Sequence, residues 1–193
     1  MSNKGIYSPK DTKFLMDMEQ YPRLGQLELI ETKNLTSSVN SADFVNIKEG
    51  IFNCHLVTFN DMEWGTADTF YCRLSDDGGV TFESGSNYSG AQQYGSASGS
   101  YGESRRSNTD KWDRLLQNQA NNAHSGYMIM YNLGDANRFS FATQHTINWS
   151  SGNVQFKYGS HVYNSARKIN AFRFYTASYA FTGSISVYGM RFS

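Results

Sequence analysis

Few side chains in this sequence stand at spacings that could do chemistry. Asp61, Glu63, Asp68 and Asp135 are the acids that could supply a pair of carboxylates for glycoside hydrolysis. None stands in a distinctive motif, and acids in such polar turns are usually solvated. The histidines, His55, His124, His145 and His161, lack the H-E-x-x-H spacing of a metalloprotease. His145 falls on an alternating aromatic face and reads as a satisfied core or interface residue rather than a base. The stretch SASGSYG lacks the strand-to-helix setting of a nucleophile elbow. No glycine-rich phosphate loop with a following lysine occurs. Cys54 and Cys72 lie in apolar, strand-like runs. They read as two buried reduced thiols, with a disulfide between adjacent strands as the alternative. No Cys/His spacing suits zinc. The sequence therefore predicts no catalytic residues, no metal and no cofactor.

The densest cluster of acids and glycines is SDDGGVTFESG, residues 75–85. Ser75, Asp77, Gly79, Thr81 and Phe82 resemble the Asp-box of sialidases and related propellers, S-x-D-x-G-x-T-W, with Phe in place of Trp. In such a box the acid satisfies backbone N–H groups, glycine supplies positive φ and the aromatic plugs the core. The motif is structural even in those enzymes. Here it occurs once, and the chain is too short for propeller blades of about 40 residues each. A calcium loop would want more oxygen ligands than Asp76, Asp77 and Glu83 offer. The reading is a hairpin turn, with VTFE (80–83) as its return strand.

The elements around this turn are strands. Tyr, Phe and Thr favour a pleated, half-buried surface, and the chain holds 13 Tyr, 13 Phe and only 2 Pro. Strands are expected over 26–31, 42–47, 51–59, 69–74, 127–133, 154–159, 167–176 and 183–192. Phe52, Cys54, Leu56 and Thr58 share one face of the third, and Phe70, Cys72 and Leu74 one face of the fourth. In residues 138–150, Phe139, Phe141, Thr143, His145, Ile147 and Trp149 alternate onto one face, and SSGN (150–153) turns the chain back. Residues 84–108, rich in Gly and Ser, read as a long loop in which Tyr88, Tyr94 and Tyr101 could contact a ligand. DKWDRLLQ (110–117) reads as a helical turn capped by Thr109, with Trp112, Leu115 and Leu116 facing inward. Short strands divided by Gly/Asn/Ser turns imply an all-β protein, a jelly-roll-like antiparallel β-sandwich over residues 26–193.

Residues 1–25 form a separate arm. Ser8, Pro9 and Asp11 start a helix over about 9–20, and Pro22 and Gly25 end it. Phe14, Leu15, Met18 and Tyr21 make its apolar stripe. A helix this short is marginal alone, so the stripe packs either on its own domain or, the favoured reading, on a neighbouring protein. Lys+Arg and Asp+Glu both number 17, so nothing draws the chain electrostatically to nucleic acid or anionic lipid. No stretch approaches the roughly 18 apolar residues of a membrane span, and the polar N-terminus lacks a signal-peptide core.

Residues 27–192 resemble a family of tailed-phage virion proteins. RLSDDGGVTFESGSNY is similar to that family's R-x-S-x-DGG-x-TF-x-SG-x-x-Y turn. INAFRFYTASYAFTGSISVYGMRF is similar to its closing segment, with Ile169, Asn170, Phe172, Phe174, Phe181, Gly183, Ile185, Val187, Tyr188 and Gly189 in the matching places. The resemblance implies a non-enzymatic structural protein on the outside of the particle, assembled in the host cytoplasm. It implies a capsid decoration or short tail-fibre or appendage protein, commonly a trimer, with other virion proteins as partners. The alternative is a tip module that binds a host surface glycan or other receptor.

Overall fold

The computed structural model describes residues 27–66, 68–116, 122–150 and 152–190. The expected helix over 9–20 and its stripe of Phe14, Leu15, Met18 and Tyr21 lie outside the described residues. The rest is an antiparallel β-sandwich of eleven strands: β1 (Leu27–Val39), β2 (Ser41–Phe44), β3 (Cys54–Trp64), β4 (Phe70–Ser75), β5 (Tyr88–Ser96), β6 (Tyr101–Thr109), β7 (His124–Tyr131), β8 (Ser140–Ser150), β9 (Asn153–Tyr163), β10 (Ala171–Thr176) and β11 (Phe181–Met190). Eight form one sheet in the order β1-β11-β3-β7-β8-β9-β5-β6, and three form the other, β2-β10-β4. The expected all-β sandwich is present.

The three-stranded layer covers the inner face of the large sheet with aromatic rings. Phe70 and Phe174 stack at 5.7 Å, and Phe59 of β3 meets Phe174 edge-on at 5.1 Å. Edge-on and offset contacts let the positive rim of one ring meet the negative face of another. Phe70, Cys72 and Leu74 are all fully buried, as the alternation in that strand implies. On β3, Leu56 and Thr58 share a face, but the sandwich core lies on the opposite side, against Val57 and Phe59.

Three expected local structures differ. VTFE is not a strand: the Glu83 N–H donates to the Leu74 carbonyl at 2.8 Å, but side chains supply most of the turn's other bonds. The supposed loop over 84–108 contains the β5–β6 hairpin, paired from Tyr88↔Thr109 to Gly95↔Tyr101. Gly and Ser have weak strand propensity, but here small residues leave room for rings. A Cβ on Gly95 would lie 2.8 Å from Tyr101 and 2.9 Å from Phe156, and one on Gly102 would lie 2.5 Å from the Tyr94 ring. The described part of DKWDRLLQ, residues 110–116, is not helical either. Trp112 pairs with Cys72 through two backbone bonds of 3.0 Å, an isolated bridge that holds the irregular segment 110–116 against the edge of β4. Arg114 has φ of 58°, outside the right-handed helix. Trp112, Leu115 and Leu116 do face inward and are buried.

Candidate functional site

The turn at 75–82 is built from side-chain hydrogen bonds. The Ser75 hydroxyl donates to Asp77 Oδ1 at 2.7 Å and accepts from the Gly79 N–H at 2.9 Å. Asp77 accepts from the Thr81 N–H at 2.9 Å and from its hydroxyl at 2.6 Å. The Thr81 hydroxyl and N–H, then Ser75, hold the Asp77 carboxyl down at about 2. Gly78 and Gly79 take φ of 76° and 87°. Phe82 lies under the Arg173 guanidinium, 4.2 Å from its ring centre, and Arg173 makes paired bonds of 2.6 and 2.7 Å to Asp43.

Two segments far apart in the sequence meet here. Asn170 accepts from the Gly78 N–H at 2.8 Å and donates to the Asp76 carbonyl at 3.0 Å, while Arg167 bridges Asp76 and Glu83. The turn is a clasp between distant parts of the chain. Asp77 spends its oxygens on the protein itself. Among the described residues no cluster of three His, Cys, Asp or Glu could hold a metal ion.

The remaining sequence candidates separate. Asp68 accepts from the Thr69, Ser178 and Tyr179 N–H groups, which braces two loops. Asp135 pairs with Arg138 at 3.3 Å. His55 bonds the Ile47 carbonyl at 2.7 Å, and His124 stacks on Trp64 at 4.6 Å. Cys54 and Cys72 are free and buried, and burial pushes the Cys54 thiol up to about 11 and that of Cys72 well above its ordinary value. Tyr88 is no ligand residue: it is fully buried, its hydroxyl donating to the Glu83 carbonyl and accepting from the Leu74 N–H. Tyr94 and Tyr101 are exposed, on opposite strands of the β5–β6 hairpin.

The unusual surface is the outer face of β7, β8 and β9. Register places Tyr127, His145, Tyr158, Gln93 and Glu103 in one cross-strand row from β7 to β6. A parallel row holds Ser125, Ile147, Phe156, Gly95 and Tyr101, and a third begins with Tyr131, Phe141 and Val162. Trp149, beside Val154, is 62% exposed. None of the outward residues of these three strands is Lys, Arg, Asp or Glu. Charge returns on the edge strand β6, where Arg105 pairs with Glu103 at 2.7 Å.

The inner face behind this strip is polar. Gln144, Thr146, Asn148, Lys157, His161 and Gln92 are buried there. They hold the extended segment 110–116: the Lys157 ammonium donates to the Arg114 and Leu116 carbonyls at 2.9 and 3.0 Å, and the Gln92 amide to the Asp113 carbonyl at 2.6 Å. Burial, with a smaller push from Arg114, lowers Lys157 to about 8; burial and then the Lys157 charge lower His161 to about 3. The polar side of β8 and β9 is thus used inside, and among the described residues no second layer covers their aromatic side. Sequence alternation reveals the two faces of β8 but not which one turns outward.

Two clefts open on the outer face. One of about 410 Å³ is lined by Gln93, Tyr94, Tyr101, Glu103, Phe156 and Tyr158; the other, of about 330 Å³, lies between Tyr127, Thr143, His145 and Tyr158. No known family model, curated protein or solved structure matches the chain. The fold and surface define a β-sandwich domain with one uncharged, aromatic outer face.

Proposed function

We propose that this is a non-enzymatic structural protein that assembles with copies of itself through the outer face of β7, β8 and β9, as a surface component of a tailed-phage particle. The observation that carries assembly is the absence of charged residues across the outward positions of three adjacent strands, together with exposed Trp149, Ile147, Phe141 and Tyr127. Large apolar patches of this kind mark interaction sites. An apolar, aromatic centre with charge at its margin is also the anatomy of a protein–protein interface. The virion setting and a trimer rest on the resemblance of the 75–88 and 169–192 segments. Their mutual clasp through Asn170 is consistent with the two being one structural unit.

Light scattering on the full-length protein across a concentration series is expected to give a trimer. Ile147→Asp should yield a monomer with an unchanged melting temperature, since the side chain is half exposed and its replacement burdens only the interface. A protein that is monomeric at every concentration overturns the reading.

A further inference from the structure

We propose that the cleft beside the β6 edge binds a neutral carbohydrate. Its walls are aromatic: the Phe156 and Tyr158 rings lie 6.0 Å apart and within 8° of parallel, and Tyr101 meets Phe156 at 6.4 Å. A sugar ring presents C–H groups on its faces and hydroxyls around its rim. It therefore wants flat apolar walls together with a few fixed donors and acceptors. The hydroxyls of Tyr101 and Tyr158, the Gln93 carboxamide and the Glu103 carboxylate supply these. Gln93 Oε1 accepts from the Tyr158 hydroxyl, which orients the carboxamide and leaves its NH₂ as a donor.

Charge selects the class of ligand. The cleft is lined by no Lys or Arg, so a phosphate or an acidic sugar meets no cation in it. Glu103 is the one carboxylate there and is already paired with Arg105, which weakens the case for a quaternary ammonium. The site is also preorganised. Its rings stand on paired strands and pack on one another, and Gly95 lacks the Cβ atom that would push Tyr101 and Phe156 aside. Rings fixed before binding lose little freedom when a ligand arrives.

The cleft shares Phe156 and Tyr158 of β9 with the margin of the proposed assembly face, so glycan binding and assembly are measured separately. The full-length protein is first screened against immobilised neutral, acidic and trimethylammonium-bearing glycans, and the best neutral oligosaccharide is then titrated by calorimetry. Retention of neutral glycans is expected. Tyr101→Ala, at a position 78% exposed, should keep the fold and weaken binding at least tenfold, and Gln93→Ala should weaken it as well. Val80→Ala, on the distant turn, should bind as the wild type does. Retention of acidic or trimethylammonium glycans alone, no retention at all, or full affinity in Tyr101→Ala overturns the proposal. Light scattering on the same samples separates a loss of glycan binding from a loss of assembly.

Discussion

The eight-stranded sheet has two halves with opposite polarity. A single inward row runs Val187, Val57, Met128, Gln144, Gly159, Gln92 and Ser104 across β11, β3, β7, β8, β9, β5 and β6. It is apolar where β2-β10-β4 lies above it and polar where segment 110–116 does. The next outward row runs the other way, from Ser186 and Thr58 to Tyr127 and Tyr158. A sheet layer satisfies its own backbone groups and needs only apolar contact. An irregular segment carries unpaired carbonyls, so the sheet beneath it must supply donors such as Lys157 and Gln92. Once β8 and β9 turn polar groups inward, alternation sends their aromatics outward. The cover chosen for one face thus decides what the other face offers.

The largest expected effect lies in the apolar half. Val187→Asp buries an unpaired charge between Val57 and the small sheet, at a cost of several kcal/mol. The protein should be insoluble or unfolded; a soluble variant with the wild-type melting temperature would place Val187 at the surface and dissolve the contrast between the halves.

The polar half should answer to pH. His161 is held near 3, below its ordinary 6.5, so under pH 6.5 the unfolded chain takes up a proton that the folded one refuses. Stability should fall by up to about 1.4 kcal/mol per pH unit between 6.5 and 3. Asp77, depressed to about 2, should add a further loss as pH drops from about 4 towards 2. Denaturant titrations at several pH values check this, and His161→Gln should flatten the upper part of the slope. An unchanged slope in that variant would show that the buried histidine is not its source.

A smaller effect is expected at the clasp. Gly79→Val must adopt φ near 87° and push against Val45, whose Cγ1 lies 2.6 Å from the new Cβ position. A loss of about 1–3 kcal/mol should appear in thermal melts. Asp77→Ala should lower the melting temperature too, and EDTA should change neither protein. A melting temperature that falls with EDTA and recovers with calcium would make the turn a metal site. The smallest effect on stability is expected from deleting residues 1–25. The sandwich should melt as before, while incorporation into particles lacking the protein should fail. Normal incorporation would move the attachment surface onto the sandwich.

The sequence carries the strand-rich class, the faces of β4 and β8, the 150–153 turn and the elements of the 75–82 clasp. These features rest on alternation and local turn chemistry, which neighbouring residues determine. The β5–β6 hairpin is hidden because Gly95 and Gly102 are there to admit rings from other positions, and local propensity does not register that need. Segment 110–116 looks helical because Trp112, Leu115 and Leu116 have helical spacing, yet Cys72 captures Trp112 from a distant strand. The aromatic face was legible as a set of residues. Its outward direction was not, since alternation is symmetric and only the cover above Gln144 and Lys157 breaks the tie.

The pairing of β1 with β11, which sets Leu27 opposite Met190, also governs the timing of folding. The ladder joins the first and last described strands, so β1 stays an unpaired edge on the ribosome until nearly all of the domain has been made. Asn170 likewise reaches the 75–82 turn only from the late part of the chain. Contacts so distant in sequence place the domain among slow folders, with β1 open to stray strand pairing in the interval.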